Sequence, residues 1–392
     1  MSNITASLPI AIVVGAGPAG LTLSHLFQRY HQTFTLIDSK SGLDDLSKAT
    51  GLHRSTLQLL SKIGVIDEIA KQSIVLNANR MYENQKLVKR VVFTQGELPH
   101  DKNISMTQQG LEEILLATLK GQAVDFNEEL LAFTQDEDGV TGTIRNVQTG
   151  EESILKAKYL IACDGAKSSI RKMLNLTFEG ETTAEQAFTF DALILDDSNH
   201  HEMAMHTTET ERLVIVPIPG ERNYKFSGRI SDVWHKTYAL SEGTGLSIEL
   251  AQLVFKRSGL HIDPQTIRGL SFYHTASRLT SSMREGRVFL IGDAAHVFFP
   301  AGGYGLNTAI EDAFCLAWRL VMMECGAIHP NQLQSFSGER LANAKLIQQD
   351  SNQKKAESLN AKSQTEGSVV ELERQIYVSS QRLDTLLDFF RN

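Results

Sequence analysis

The sequence predicts an α/β fold. A doubly wound, Rossmann-like domain is interrupted by a largely antiparallel β-sheet domain and followed by a C-terminal helical segment. Three observations lead there. The stretch "PIAIVVGAGPAGLTLSHLFQRYHQTFTLID" (residues 9–38) runs strand, glycine loop, helix, strand. The same strand-to-loop-to-helix change recurs in "YLIACDGAKSSIRKML" and in "IGDAAHVFFPAGGYGLN". Between about 181 and 270 the pattern turns instead to alternating segments, "AFTFDALIL", "RLVIVPIP" and "KFSGRI", which suit an antiparallel sheet.

Taken in order, Ile10 to Val14 is a buried-strand run. Leu21, Leu23, Leu26 and Phe27 have helical spacing, and Phe34 to Ile37 is a second strand ending at Asp38. A helical pattern at Thr56 to Ile69 follows "GLHRS", and residues 75–100 alternate weakly, as excursion strands would. Residues 108–120 form a helix, and Asp-Gly in "QDEDGVTGTI" supplies a hairpin turn. Residues 271–325 return to strand, glycine loop and helix. The tail from 331 is polar and mostly helical, with an exposed break at "NQKKAESLNAKSQTEG". The expected organisation is a discontinuous nucleotide-binding domain (1–74, 101–180, 271–330), a substrate domain (75–100, 181–270) and a C-terminal helical segment (331–392). There is no internal repeat.

Composition narrows the classes. The chain has 392 residues, more than one simple core serves, with 42% apolar and 21% charged residues. A net charge of −8 without a Lys/Arg block argues against nucleic acid or an anionic membrane as partner. Cys163, Cys315 and Cys325 lack metal-ligand spacing, so no metal site and a reducing, cytoplasmic setting are expected. Leu8 to Val14 has no basic flank and runs into glycines, unlike a signal peptide. No stretch approaches about 18 unbroken apolar residues, so no membrane span is expected.

In "GAGPAG", Gly15 suits the tight turn, Gly17 lets backbone N–H groups reach a pyrophosphate, and Gly20 permits close helix–strand packing, with Ala19 between them. The helix N-terminus then faces the phosphate charge. Asp38, 18 residues after Gly20, stands where a ribose hydroxyl is held. The motif predicts a bound dinucleotide and leaves FAD and NAD open.

Together with that loop, "CDGAKSSIR" (163–171) and "GDAAHVFFPAGGYGLN" (292–307) resemble the three fingerprints of class A flavoprotein monooxygenases, the para-hydroxybenzoate hydroxylase family. The resemblance runs in order from about 10 to 345, includes "LQSFSGERLANA", and leaves only the last ~45 residues unanchored. It implies non-covalent FAD as cofactor, with NADPH or NADH as a transient co-substrate. The implied reaction hydroxylates a small aromatic or polycyclic organic substrate with O2 through a flavin hydroperoxide. It also implies that Asp293, after Gly292, bonds the ribityl chain. Gly302, Gly303, Gly305, Leu306 and Asn307 pass along the isoalloxazine, and Asp164 and Gly165 touch FAD and the docking nicotinamide. Gln108, or equally Gln109, lies near the flavin chain, and Pro300 and Ala301 face the substrate. His296 is expected only to hold the loop, Ser168 to cap a helix, and Arg171 to be a surface charge.

The sequence departs from the family where Lys48 stands for an arginine, Ser55 for a second and Gln58 for a glutamate; Arg54 is placed to compensate. Phe299 replaces a common proline and Tyr304 a common glutamine. Pocket candidates are Phe188, Phe190, Met203, Met205, His206, Tyr224, Phe226 and Trp234, most of them expected to be core; His206 is the one candidate base. Rivals are a halogenase of the same fold, an FAD-linked reductase and a non-catalytic flavin-binding module. Halogenases carry a Trp-x-Trp pattern, whereas Trp234 and Trp318 lie far apart. A monomer or homodimer is expected.

Overall fold

A computed structural model describes residues 8–44, 50–121, 124–196, 198–208, 211–230, 244–300 and 302–359. Two central strands, Ala11–Val14 and Tyr159–Ala162, are buried at every position and pair in parallel. Unbroken apolar runs such as AIVV and YLIA belong in a parallel sheet covered on both faces. Around them the six-stranded order is Arg284–Glu285, Val288–Leu290, Tyr159–Ala162, Ala11–Val14, Phe34–Asp38, Asp125–Phe126, with only the first pair antiparallel. The helices Pro18–Arg29 and Tyr304–Glu324 pack on each other and share the core of this sheet. A three-stranded meander, Glu128–Gln135, Val140–Asn146 and Glu152–Ala157, lies against the sheet. Its Gly142 fits so closely that an added Cβ would stand 2.9 Å from Leu130 and 3.6 Å from Ile12.

The second sheet has eight strands, in the order His296–Val297, Arg268–Thr280, Phe178–Leu193, Asn223–Ile230, Arg212–Pro217, Glu202–Thr207, Ala78–Glu83, Lys86–Val92. Its pairs are antiparallel except Glu202–Thr207 with Ala78–Glu83. The excursion strands of 75–100 are its far edge. The strand Arg268–Thr280, read from sequence as the return to the α/β domain, hydrogen-bonds instead with Phe178–Leu193. One 15-residue helix, Thr244–Ser258, covers one face. There Leu250 and Val254 meet Phe188, Phe190, Leu213, Ile215 and Phe226 in a second core. Each buried phenylalanine contributes about 1.5–3 kcal/mol.

The direction of the other face follows from alternation. Leu270 and Phe272 pack with the helix-side core. Leu279, an odd number of residues further along the same strand, packs with Phe298, Tyr304, Ala344 and Ile347. The face opposite that helix therefore turns toward the 302–307 loop and the last helix.

Two sequence readings change. The helix expected over Thr56 to Ile69 is two, Arg54–Lys62 and Ile66–Lys71, broken where Gly64 takes a φ of +80°. The last helix, Asn331–Leu359, runs through "NQKKAESL", because Gln, Lys, Ala and Glu are good helix formers however polar, and the rest of the expected break, 360–367, lies outside the described residues.

Candidate active site

Gly15 ends the first strand with a φ of +108°, and its N–H donates to the Ile37 carbonyl at 2.8 Å. An added Cβ there would lie 2.3 Å from the Cys163 carbonyl oxygen, so only glycine makes this turn. At Gly20 the added atom would lie 2.0 Å from the Gly15 carbonyl oxygen. Gly17 differs. It is the N-cap of Pro18–Arg29, and a Cβ there would meet nothing nearer than the Glu112 Oε1, at 4.0 Å. The loop is open at Gly17 and closed at its neighbours. Asp38 holds the loop, its carboxylate accepting from the Ala16 N–H at 2.8 Å and the Lys40 N–H at 2.9 Å. Gln108 opens the helix Gln108–Thr118 and donates to Glu112 at 2.8 Å, which sets it beside Gly17; Gln109 points to solvent and pairs with Glu113.

Asp164 and Gly165 form the turn after Tyr159–Ala162, with Gly165 at a φ of +79°. One Asp164 oxygen accepts from the Ser169 N–H at 2.9 Å; the other, Oδ1, is buried and has no partner. Ser168 caps the short helix Ser169–Met173, its hydroxyl accepting from the Arg171 N–H at 3.0 Å. Arg171 is not a surface charge. It is 5% exposed, donates to the carbonyls of Ala294 (2.7 Å) and Ala166 (2.9 Å), and lies 3.7 Å over the Phe178 ring. That guanidinium ties the second loop to the third.

In the third loop, Gly292 has a φ of +61° and fits between helices, an added Cβ standing 3.0 Å from Ala309 Cβ and 3.6 Å from Ala19 Cβ. Asp293 is exposed in the 3₁₀ turn Gly292–Ala294 and does not cap the long helix, whose N-cap is Gly303. Beneath it is a network that sequence did not reveal. Asp312 takes the Gly292 N–H at 3.0 Å, His296 Nε2 at 2.6 Å and Arg340 Nε at 2.6 Å, all fully or nearly buried. Burial pushes the Asp312 carboxyl up, yet Arg340 and His296 outweigh it and hold it below the usual range. Glu311, 3.4 Å from Arg340, is raised by burial. An acidic pair inside the apolar run "IEDAFCLAW" was the available signal, since such a pair survives burial only with a cation.

Gly302 and Gly303, with φ of +97° and +66°, lead into Tyr304–Glu324, whose N-terminus carries neither a side-chain cap nor an acidic first turn. Asn307 fixes the loop, accepting from the His53 N–H at 2.8 Å and donating to the Gly303 carbonyl at 2.7 Å. His53 also reaches the Gly302 carbonyl at 3.0 Å. Nothing stands within 4 Å of a Cβ at Gly305, and Leu306 packs on the main core. Tyr304 tucks its ring under Gly302 and bonds Asp350 and Lys354 of the last helix, so this departure from the family pattern links the loop to that helix. Burial and Asp350 raise the Tyr304 phenol against the opposing Lys354.

The substrate candidates separate. Pro300 is exposed beside the loop. Tyr224 and Phe226 are buried in the helix-side core, on the face turned away from the loop. His206 shares their side, opposite Leu213 in register and stacked on Tyr82 at 4.4 Å. Burial, then Arg80, lowers its pKa to about 4. Alternation shows the period of a strand but not which face a helix will cover. Lys48, Ala301 and Trp234 lie outside the described residues.

The residues present fit FAD. The opening at Gly17, the buried unpartnered Asp164 Oδ1 and Arg54 Nε, and the uncapped helix N-terminus are polar ends that a dinucleotide would satisfy. Among the described residues, no cluster of His, Cys, Asp and Glu could hold a metal ion, and no helix is long and apolar enough to cross a membrane.

The FAD binding domain family matches residues 9–351. The flavin-dependent monooxygenase of Mycobacteroides abscessus is 31% identical over 84% of this chain and 70% of its own length. Tetracenomycin A2 monooxygenase-dioxygenase of Streptomyces glaucescens is 29% identical over 86% of this chain and 66% of its own. The chain spans 56% to 73% of the length of such curated relatives. In fold it is similar to p-nitrophenol 4-monooxygenase from Pseudomonas putida, with a TM-score of 0.79 at 20% identity and 98% of both chains covered. With residues 9–351 matched and the three loops assembled, the chain belongs to the FAD binding domain family, among the class A flavin-dependent monooxygenases.

Proposed function

We propose that this protein uses FAD, NAD(P)H and O2 to hydroxylate an aromatic or polycyclic organic substrate. The observation that carries the reading is the assembly of three separate loops, at Gly17, Asp164 and Asp293: Gly15 lies against the Cys163 carbonyl, Arg171 ties the second loop to the Ala294 carbonyl, and Gly292 fits between Ala19 and Ala309. Gly17 and the first helix would take the pyrophosphate, with Arg54 and Lys48 as cations. Asp38 would take the ribose and Asp293 the ribityl chain. Gly302 to Asn307 would lie along the ring system, and Asp164 and Gly165 would border both FAD and the docking nicotinamide. Bound FAD supplies the redox chemistry, accepting hydride and delivering one atom of O2.

This chain's residues do the rest. The helix N-terminus at Gly303 favours negative charge beside it. Tyr304, Asp350 and Lys354 fasten that loop to the last helix, and Pro300 with the loop-side face of the eight-stranded sheet would border the substrate. The division into a nucleotide domain and a substrate domain is part of the proposal, supported by the two sheets. The names of the tetracenomycin and p-nitrophenol relatives support an aromatic substrate, polycyclic or phenolic.

The test is a screen of phenols, naphthols and polycyclic quinones for stimulated NADPH oxidation, repeated under ¹⁸O2. The expected product carries one ¹⁸O atom. NADPH oxidation that never yields a labelled product, with any compound, would overturn the reading.

A further inference from the structure

The last helix, Asn331–Leu359, holds the 292–307 loop at its start, its middle and its end. At the start, Arg340 Nε donates to Asp312 at 2.6 Å, and the same carboxylate takes the Gly292 N–H at 3.0 Å. In the middle, Phe298 shares a small core with Ala344 and Ile347. At the end, the Tyr304 hydroxyl donates to Asp350 at 2.5 Å. The Lys354 ammonium reaches the Tyr304 oxygen at 2.5 Å and Asp350 at 2.8 Å.

Arg340, Ala344, Ile347, Asp350 and Lys354 follow one another at spacings of three and four residues, so they form one stripe down the helix, about 21 Å long. The first four are buried. Burying Arg340 and Asp350 costs desolvation, which Asp312, Lys354 and the Tyr304 hydroxyl offset. The loop needs this support. Gly302 and Gly303 lie at φ of +97° and +66°, and Gly305 follows, so the backbone has the freedom to leave its path unless something outside fixes it.

We propose that this stripe is a splint for the flavin loop. Asp350 and Lys354 are positioning residues that act on bound FAD through Tyr304, and FAD in turn steadies the last helix. Both directions follow together, because a ligand that favours one arrangement of the loop also favours whatever holds that arrangement. This rests on the proposed function in placing FAD along residues 302–307.

The test follows backbone hydrogen exchange by mass spectrometry on the full chain, without FAD and with FAD at equal occupancy in every variant. In the wild type, FAD should slow exchange over residues 340–354 at least about tenfold. The helix Thr244–Ser258, on the other face of the eight-stranded sheet, should change less. Tyr304→Phe keeps the Asp350–Lys354 pair and should fold. Its FAD Kd should rise about fivefold, as for one hydrogen bond, and the slowing over 348–354 should vanish. Lys354→Met combined with Tyr304→Phe should weaken FAD by less than the product of the two single effects. Bound FAD that leaves 340–354 unchanged in the wild type, equal slowing in Tyr304→Phe, or effects that simply multiply would overturn the proposal. So would a Tyr304→Phe variant whose apo form melts lower while its FAD Kd is unchanged, which marks the hydroxyl as structural. The two readings fail separately. A product labelled by ¹⁸O2 without the slowing would remove the splint alone. FAD-dependent slowing without any labelled product would remove the hydroxylation reading alone, and a wild type that binds no FAD would remove both.

Discussion

Gly17 and Gly20 stand three residues apart, yet a side chain added at each meets different surroundings. Gly17→Val should leave the apo protein's stability within about 1 kcal/mol, since the new atoms enter open space at a helix cap, while FAD binding is lost. Gly20→Val drives into the Gly15 carbonyl and should cost at least 1–3 kcal/mol. Urea unfolding of both apo variants with FAD titration separates the two roles. His206 gives a pH test. Its pKa of about 4 lies below the unfolded value of 6.5, so the unfolded chain binds the extra proton first. Its contribution is full above pH 6.5 and falls away as the pH drops through 4, by at most about 3 kcal/mol. Urea midpoints between pH 7.5 and 5 should fall less in His206→Gln than in wild type. Equal slopes would place the acid sensitivity elsewhere. The turn at Gly15 and the close packing at Gly20 were legible in sequence because both are local demands. The side on which His206 lies was not, because it depends on a helix about 40 residues further along.

At the scale of elements, charged side chains join helices and loops that lie far apart in the chain. Arg171 reaches a carbonyl 123 residues away, and Arg340 reaches Asp312 from the next helix. Replacing Arg340 by Met leaves Asp312 and Glu311 buried without their cation. A loss of about 3–5 kcal/mol is predicted in the denaturation midpoint of the apo protein, far beyond a surface arginine. A change below 1 kcal/mol would mean that water or rearrangement replaces the guanidinium. Sequence alone suggests a surface charge at Arg171, because arginine is rarely buried and nothing local identifies its acceptors. The strand–loop–helix units themselves were readable, since their glycines and apolar runs repeat the same local pattern.

Across the whole molecule, each sheet keeps its own core, and the candidate site lies where their loops meet. The family fingerprints were legible because they are short and ordered along the chain. The facing of the eight-stranded sheet was not, since its strands come from 78 to 297. Asp293 joins the scales: exposed in its turn and capping no helix, it should affect the ligand more than the fold. Asp293→Ala should weaken FAD binding by one to two powers of ten, as for a charge-assisted hydrogen bond of about 1.5–3 kcal/mol, with apo stability nearly unchanged. The most direct measurement is the flavin content of the purified wild-type protein. After reconstitution with FAD and gel filtration, acid-released supernatant should contain close to one FAD per chain, and Gly17→Val should contain almost none. Wild-type protein that folds but retains no FAD, or that holds only a nicotinamide dinucleotide, would contradict the account.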